Sequence, residues 1–303
     1  MSSPHEHHHG PASLQGINRA FYIGIGLNLA FTVIEFVVGL RNDSLALLSD
    51  ASHNLSDVAS LIISLIGMKL AQKVATATYT YGYKKASILA SLINAILLMI
   101  VVFGIFREAL ERLSSPPEVL GNVIIITAII GVFVNAISAY LFAKGQKDDI
   151  NIKGAFLHLM VDALVSIGVV ISGIVIYYTG WSVIDPIISC VIGLVIVFST
   201  YSLLKESLKL TLDGIPKDID YEEIKQLLSD HPKVNNVHHL HIWALSSTVN
   251  ALTAHVIPTE DFSLKEIQNI KNELKHTLEH HNIQHVTLEF GSNEVLCCEQ
   301  DAC

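Results

Sequence analysis

The chain has 303 residues, 51% of them hydrophobic and 16% charged, with a formal net charge of -9 and a mean hydropathy of +0.49. So apolar a composition excludes an ordinary soluble protein. The acidic balance gathers after Asp213 and excludes a basic surface for nucleic acid, leaving a membrane protein with an acidic cytosolic portion.

"MSSPHEHHHG" opens the chain, and residues 1–16 read as a His-containing cytosolic tail. They lack the basic region and apolar core of a cleavable signal peptide. A helix needs about 20 predominantly apolar residues to span a bilayer. Six runs of that kind follow: Ile17–Leu40, Leu45–Leu70, Ala86–Leu110, Val119–Phe142, Ile152–Tyr178 and Val183–Leu204. Segments such as "LRNDS", "ERLSSPPEV" and "AKGQKDD" separate them with turn formers and charges. The runs predict an all-α, six-helix transmembrane domain over 17–208. With the N-terminus in the cytosol, Lys69, Lys73, Lys84, Lys85, Lys144, Lys147, Lys153, Lys205 and Lys209 fall inside, against Arg41, Arg107 and Arg112 outside. The positive-inside bias therefore puts both termini in the cytosol, and an even number of spans agrees by keeping them on one side.

Residues 209–291 change pattern. "YEEIKQLLSDHP" has helical periodicity, "NVHHLHIWAL" and "VNALTAHVIP" alternate as strands, and "SLKEIQNIKNELKHTLEHH" is an amphipathic helix opening with a Ser-x-x-Glu capping box. "HVTLEF" is a third strand. This αββαβ order predicts a small cytosolic α+β domain with a core thin enough to need a partner surface. Residues 292–303 form a tail with Cys297, Cys298 and Cys303. Together with Cys190 in an apolar run they make no spaced disulfide framework, so reduced thiols are expected.

The chemistry lies in the spans. Positions four apart share a helix face, and His53 and Asp57 are such a pair in the second span. His158 and Asp162 repeat the spacing in the fifth. For a lone polar residue a helix–helix hydrogen bond is the simpler reading; two copies of one His-x-x-x-Asp spacing point to function instead. Two imidazoles and two carboxylates suit a tetrahedral divalent ion such as Zn2+, and two aspartates cancel a dication in low dielectric. Asp50, on the same stripe, is open to three readings: a ligand, a partner orienting His53, or a proton acceptor. Asn28 and Glu35 share a face of the first span; Glu35 belongs either to an ion or proton route or, near the helix end, reaches to water.

"SLALLSDASHNLSDVASL", "YTYGYKKASILASLINAILL", "HLMVDALVSIGVVISGIVIYYTGWSVIDPIIS" and "VHHLHIWALS" together resemble the cation diffusion facilitator family, in its zinc-transporting branch of bacterial-type zinc, cadmium and cobalt efflux proteins. The resemblance runs from the first span to the last strand. It implies a ferredoxin-like cytosolic domain and a homodimer, each protomer exporting zinc from the cytosol against protons by alternating access. Cd2+ or Co2+ are further cargoes, and a bacterial inner membrane is the implied location. It implies His53, Asp57, His158 and Asp162 as transport ligands, the histidine at position 53 going with zinc over cadmium. It also implies an interlock between Lys85 and Asp213, and a structural or regulatory zinc site of His238, His255 and either His285 or Glu289. The loop "TATYTYGYKKA" offers tyrosines and lysines where some members hold a further metal, so none is expected there. "HEHHHG" and "CCEQDAC" carry zinc-ligand chemistry, open to two readings each: gathering metal for the pore, or, for the histidines, an expression remnant and, for the thiols, no role.

Two other classes compete with the transporter. An intramembrane metalloenzyme needs an open coordination position and a base, whereas four ligands close the shell and no His-Glu-x-x-His element exists. A membrane metal sensor needs an output domain, and nothing of that kind follows Phe290.

Overall fold

Six long helices followed by a mixed segment make up the computed structural model, which describes residues 14–41, 45–114, 122–181 and 184–291. The helices are α1 (Leu14–Arg41), α2 (Leu45–Ala71), α3 (Ala86–Ser114), α4 (Asn122–Phe142), α5 (Ile150–Thr179) and α6 (Ile184–Thr211). The chain divides into two compact units, one of Met1–Lys73 with Ala86–Ser207, the other of Val74–Lys85 with Leu208–Cys303. The His-rich start and the three tail cysteines lie outside the described residues.

In the first unit, Asn18–Val38, Ala86–Gly104, Ile125–Phe142 and Ile150–Gly168 are long and apolar enough to cross a membrane. Among the described residues α2 and α6 do not reach that mark. In α2 the run from Ser49 to Asp57 places serines, aspartates, a histidine and an asparagine in a span-length helix, which lowers its hydropathy. The core is apolar and interlocked: Phe21 meets Phe142 edge to face, with centroids 4.8 Å apart, and Leu61, Leu65, Ile152 and Leu159 pack around them. Phe103, Phe133 and Phe198 instead face outward, as suits a hydrocarbon solvent. Polar side chains tie helices together where no water competes. Asn28 of α1 donates to Ser138 Oγ of α4 at 3.2 Å, and within its own helix to the Gly24 carbonyl at 2.8 Å. Asn94 donates to the Ser60 carbonyl at 3.2 Å and to Ser64 Oγ. Gly67 lets α2 and α3 approach closely, since a Cβ there would lie 2.4 Å from that of Ala90.

The second unit contains α7 (Tyr221–Ser229), β1 (Val234–Ala244), β2 (Asn250–Pro258), α8 (Leu264–His280) and β3 (His285–Phe290), the element order expected. Asp220 caps α7 by accepting from the Glu222 and Glu223 amides, and Ser263 with Glu266 forms the capping box of α8. β1 pairs antiparallel with β2, and β2 parallel with β3, in the order β1-β2-β3. Ile224 and Leu228 of α7, with Ile270, Leu274 and Leu278 of α8, bury one sheet face with Leu252, Ala254 and Val256 of β2. His255 and Glu289 therefore project from the opposite face, by the period-two alternation of a strand.

Candidate metal centre

α2 contributes Asp57 and α5 contributes His158 and Asp162, one helical turn apart. His158 Nε2 lies 2.9 Å from Asp57 Oδ1 and 3.8 Å from Asp162 Oδ2. All three side chains are at most 6% exposed, and one ligand atom from each falls within 4.8 Å of the others. Ligands around a tetrahedral zinc, at about 2.0–2.2 Å from the ion, stand roughly 3.3–3.5 Å apart, so small side-chain adjustments would seat one. In the form that binds metal, two ionised carboxylates and a neutral imidazole, the cluster would carry two negative charges in a buried place. A dication removes that charge, and two protons do the same.

His53 stands in α2 four residues before Asp57, one turn along the same helix. Its side chain, like that of Asp50, lies outside the described residues. Glu35 is fully buried on α1 rather than reaching to water, and accepts a hydrogen bond from Asn54 Nδ2 of α2 at 2.5 Å. It is not among the three clustered ligands. The two flanks of the cluster differ. Toward Ser60, Leu61, Asn94, Leu98, Gly154 and Ala155 the packing around His158 leaves no room for a water. Toward α1 and α4, Asp162 borders a cavity of about 30 Å³ shared with Glu35, Asn54, Asn135 and Ser166.

A second gathering of imidazoles sits on the open face of the sheet. His238 of β1 is paired in register with His255 of β2, and His255 with Glu289 of β3; His255 Nε2 is 3.2 Å from Glu289 Oε2. One ligand atom from each of His238, His239 and His255 lies within 4.8 Å of the others. Burial, followed by the neighbouring His255 and His239, holds the His238 pKa below the usual 6.5, which favours the neutral, metal-binding form. His239 escapes a sequence reading because strict alternation puts it on the face opposite His238. An irregularity between His238 and His241 sets three steps of β1 against two of β2, and His239 takes a positive φ of 49°. This bulge carries its ring to 5.0 Å from that of His255. The two adjacent histidines are the only signal available in the sequence.

His285 does not join the group. It pairs with Ala251, four residues from the His255–Glu289 step, about 13 Å along the strand, and its ring meets Tyr81 edge to face at 5.2 Å. Lys85 pairs with Asp213 and donates to the Leu210 carbonyl at 3.4 Å. Asp213 takes a positive φ of 58° just past α6, and Gly214 N–H bonds the Lys209 carbonyl at 2.8 Å, closing the helix in a Schellman turn. A negative side chain at a helix C-terminus is unfavourable, and Lys85 offsets it.

Comparison with known proteins covers nearly the whole chain. The model of the cation efflux transmembrane domain matches residues 21–210, and that of the cation efflux protein cytoplasmic domain matches residues 216–290. A cadmium, cobalt and zinc/H(+)-K(+) antiporter of Bacillus subtilis (strain 168) is 37% identical over 275 residues, 88% of either chain. The metal cation efflux system protein CzcD of Cupriavidus metallidurans is 38% identical over 301 residues, 99% of this chain and 92% of the relative. The zinc transporter ZitB of Escherichia coli (strain K12) is 33% identical over 292 residues, 94% and 91% of the two chains.

Proposed function

The chain belongs to the cation efflux family, and on that premise we propose that it exports divalent metal cations, Zn2+ foremost, from the cytosol in exchange for protons. The observation that carries this is the buried Asp57, His158 and Asp162 cluster, two carboxylates and an imidazole at ligand spacing between helices. His53, one turn before Asp57, completes a tetrahedral set of two nitrogens and two oxygens. All six long helices span the membrane, the termini lie in the cytosol, and the membrane is a bacterial inner membrane. α2 crosses despite its polar stripe because bound metal or protons neutralise that stripe.

The ligands themselves supply the coupling. Zinc takes neutral imidazole and ionised carboxylate, so protons compete with it for the same side chains. Open to the cytosol, where free protons are few, the site takes the ion and sheds its protons. Open to the other side, protons entering it displace the metal. Two protons balance the two carboxylates as a dication does, so exchanging one for the other leaves the charge of the buried cluster unchanged. Zinc, cadmium and cobalt all appear in the names of relatives, and nitrogen with oxygen ligands accommodates each, with zinc preferred for its tetrahedral geometry.

In the cytosol, a ferredoxin-like αββαβ unit pairs with a second copy to make a homodimer. The match to the family's cytoplasmic domain supports this. His238, His255 and Glu289, joined by His239, bind a structural or regulatory zinc on the open sheet face, and the Lys85 and Asp213 pair fixes the Val74–Lys85 segment to the end of α6. A metalloenzyme reading gains nothing here, since a closed four-ligand shell leaves no position for substrate.

The test is export in cells stripped of their own zinc exporters. Expression of the chain lowers cytosolic zinc and restores growth on zinc, while His158→Ala and Asp162→Ala, present at equal levels in the membrane, do neither. Growth restored equally by both variants would dismiss the site.

A further inference from the structure

The transport cluster has an unequal surround. On α5, Gly154 and Ala155 before His158 belong to the dry flank, whereas Ser166 after Asp162 belongs to the cavity. On α2 the order is reversed: Asn54 before Asp57 lines the cavity, and Ser60 and Leu61 after it line the dry flank. The two flanks therefore lie toward opposite ends of the bundle. With the termini in the cytosol, the cavity is on the side away from it.

Asn135 of α4 is the residue there without an explanation. It is 2% exposed, it lines the cavity, and its Oδ1 has no hydrogen-bond partner among the described residues. Buried side-chain oxygens are rarely left so, because each costs on the order of 1–3 kcal/mol. Across the same cavity stands the Glu35 carboxylate, oriented by Asn54, with Asp162 and Ser166 completing the lining. About 30 Å³ accommodates a single water-sized particle. Every polar group in the lining has oxygen to offer, and Glu35 with Asp162 brings the charge that a dication needs.

We propose that this cavity is a way-station for the transported cation, in which Asn135 Oδ1 and a Glu35 carboxylate oxygen receive the ion as Asp162 releases it from the cluster. The inference rests on the transport reading above. Its chemistry suits a hand-off. Oxygen-only ligands hold zinc less firmly than a set with imidazole, and a conducting site must bind strongly enough to draw the ion in and weakly enough to let it go. The unpaired amide oxygen is the acceptor kept open for the ion between cycles.

Full-length protein in liposomes containing a zinc dye, beside equilibrium zinc binding to the same protein in detergent, separates this station from the cluster. Asn135→Leu fills the cavity with hydrocarbon; turnover is expected to fall about tenfold or more while the cluster's zinc Kd stays within about twofold, the pattern of a lost contact made during passage and not at rest. Asn135→Asp, which keeps an oxygen in place, retains turnover within about threefold of the parent. A purely structural asparagine would not give this split, since its loss would lower thermal stability and affinity together. Turnover at the parental level in Asn135→Leu, or equal loss in Asn135→Asp and Asn135→Leu, overturns the station. Should the leucine variant not assemble, Asn135→Ala is compared with Asn135→Asp by the same criteria. His158→Ala in the same liposomes keeps the two readings apart. If it is inactive while Asn135→Leu is normal, only the station fails; if it transports normally, the cluster and the station both fail.

Discussion

Asp57→Asn keeps the size and the helix position of the side chain and removes one negative charge from the cluster. Structural zinc sites with four ligands bind with about 10–16 kcal/mol near neutral pH, so one ligand carries on the order of 3 kcal/mol. That corresponds to a weakening of about a hundredfold or more in Kd. The structure adds to this figure. Asp57 is 2% exposed and its Oδ1 is 2.9 Å from His158 Nε2, so the variant leaves a bound dication with an unbalanced positive charge that water does not screen. The assay is competition between a zinc-chelating dye and the full-length protein in detergent, in a His255→Ala background that disables the cytosolic group. A Kd within about threefold of the parent, less than a kcal/mol of change, would refute the placement of Asp57 as a ligand.

Other consequences are equally specific. Gly67→Val places a Cβ 2.4 Å from the Ala90 methyl and 2.9 Å from the Ala86 carbonyl oxygen, so α2 and α3 must part; overpacking of about 1–3 kcal/mol lowers the thermal midpoint in detergent, and an unchanged midpoint contradicts the close approach. Leu278→Ala empties a fully buried position beneath the sheet at about 2–5 kcal/mol; hydrogen exchange of the β2 amides in the full chain should quicken accordingly, and unaltered protection would deny that α8 anchors the sheet. The folded pKa of His238 lies below its unfolded value of 6.5, so the unfolded chain takes the proton first. Its contribution to stability is present above pH 6.5 and is lost as pH falls through the lowered folded value. NMR of histidine-labelled, metal-free protein checks this, and titration of His238 at or above 6.5 refutes it.

The six long helices, four of them long and apolar enough to cross a membrane, and the αββαβ order were legible in the sequence because each rests on a local signal. A span announces itself by length and hydropathy, and α8 by the Ser263 and Glu266 box. The helical repeat also made Asp57, His158 and Asp162 legible as a group, since α2 and α5 bring these three side chains together, while the His53 side chain lies outside the described residues. What escaped depends on partners distant in the chain. The bulge that turns His239 toward His255 exists only in the pairing of β1 with β2. The register that strands His285 beside Ala251 is set by how the parallel β3 docks on β2 after α8, which no alternation within "HVTLEF" encodes. Tyr81, expected to lie in a loop without metal, meets His285 across some two hundred residues, a contact that only the assembled second unit makes. Asn135 gave no sign at all, because one amide in an apolar span looks like a helix–helix hydrogen bond until its oxygen is found without a partner.

The most direct measurement is zinc flux in liposomes holding purified protein, a zinc dye inside, and an imposed pH gradient. With zinc outside and an acidic lumen, zinc should accumulate as the lumen loses protons, collapsing the gradient should stop it, and His158→Ala and Asp162→Ala should abolish it. Zinc entry at one rate with and without the gradient, or undiminished entry in either variant, would contradict proton-coupled export through the Asp57, His158 and Asp162 cluster.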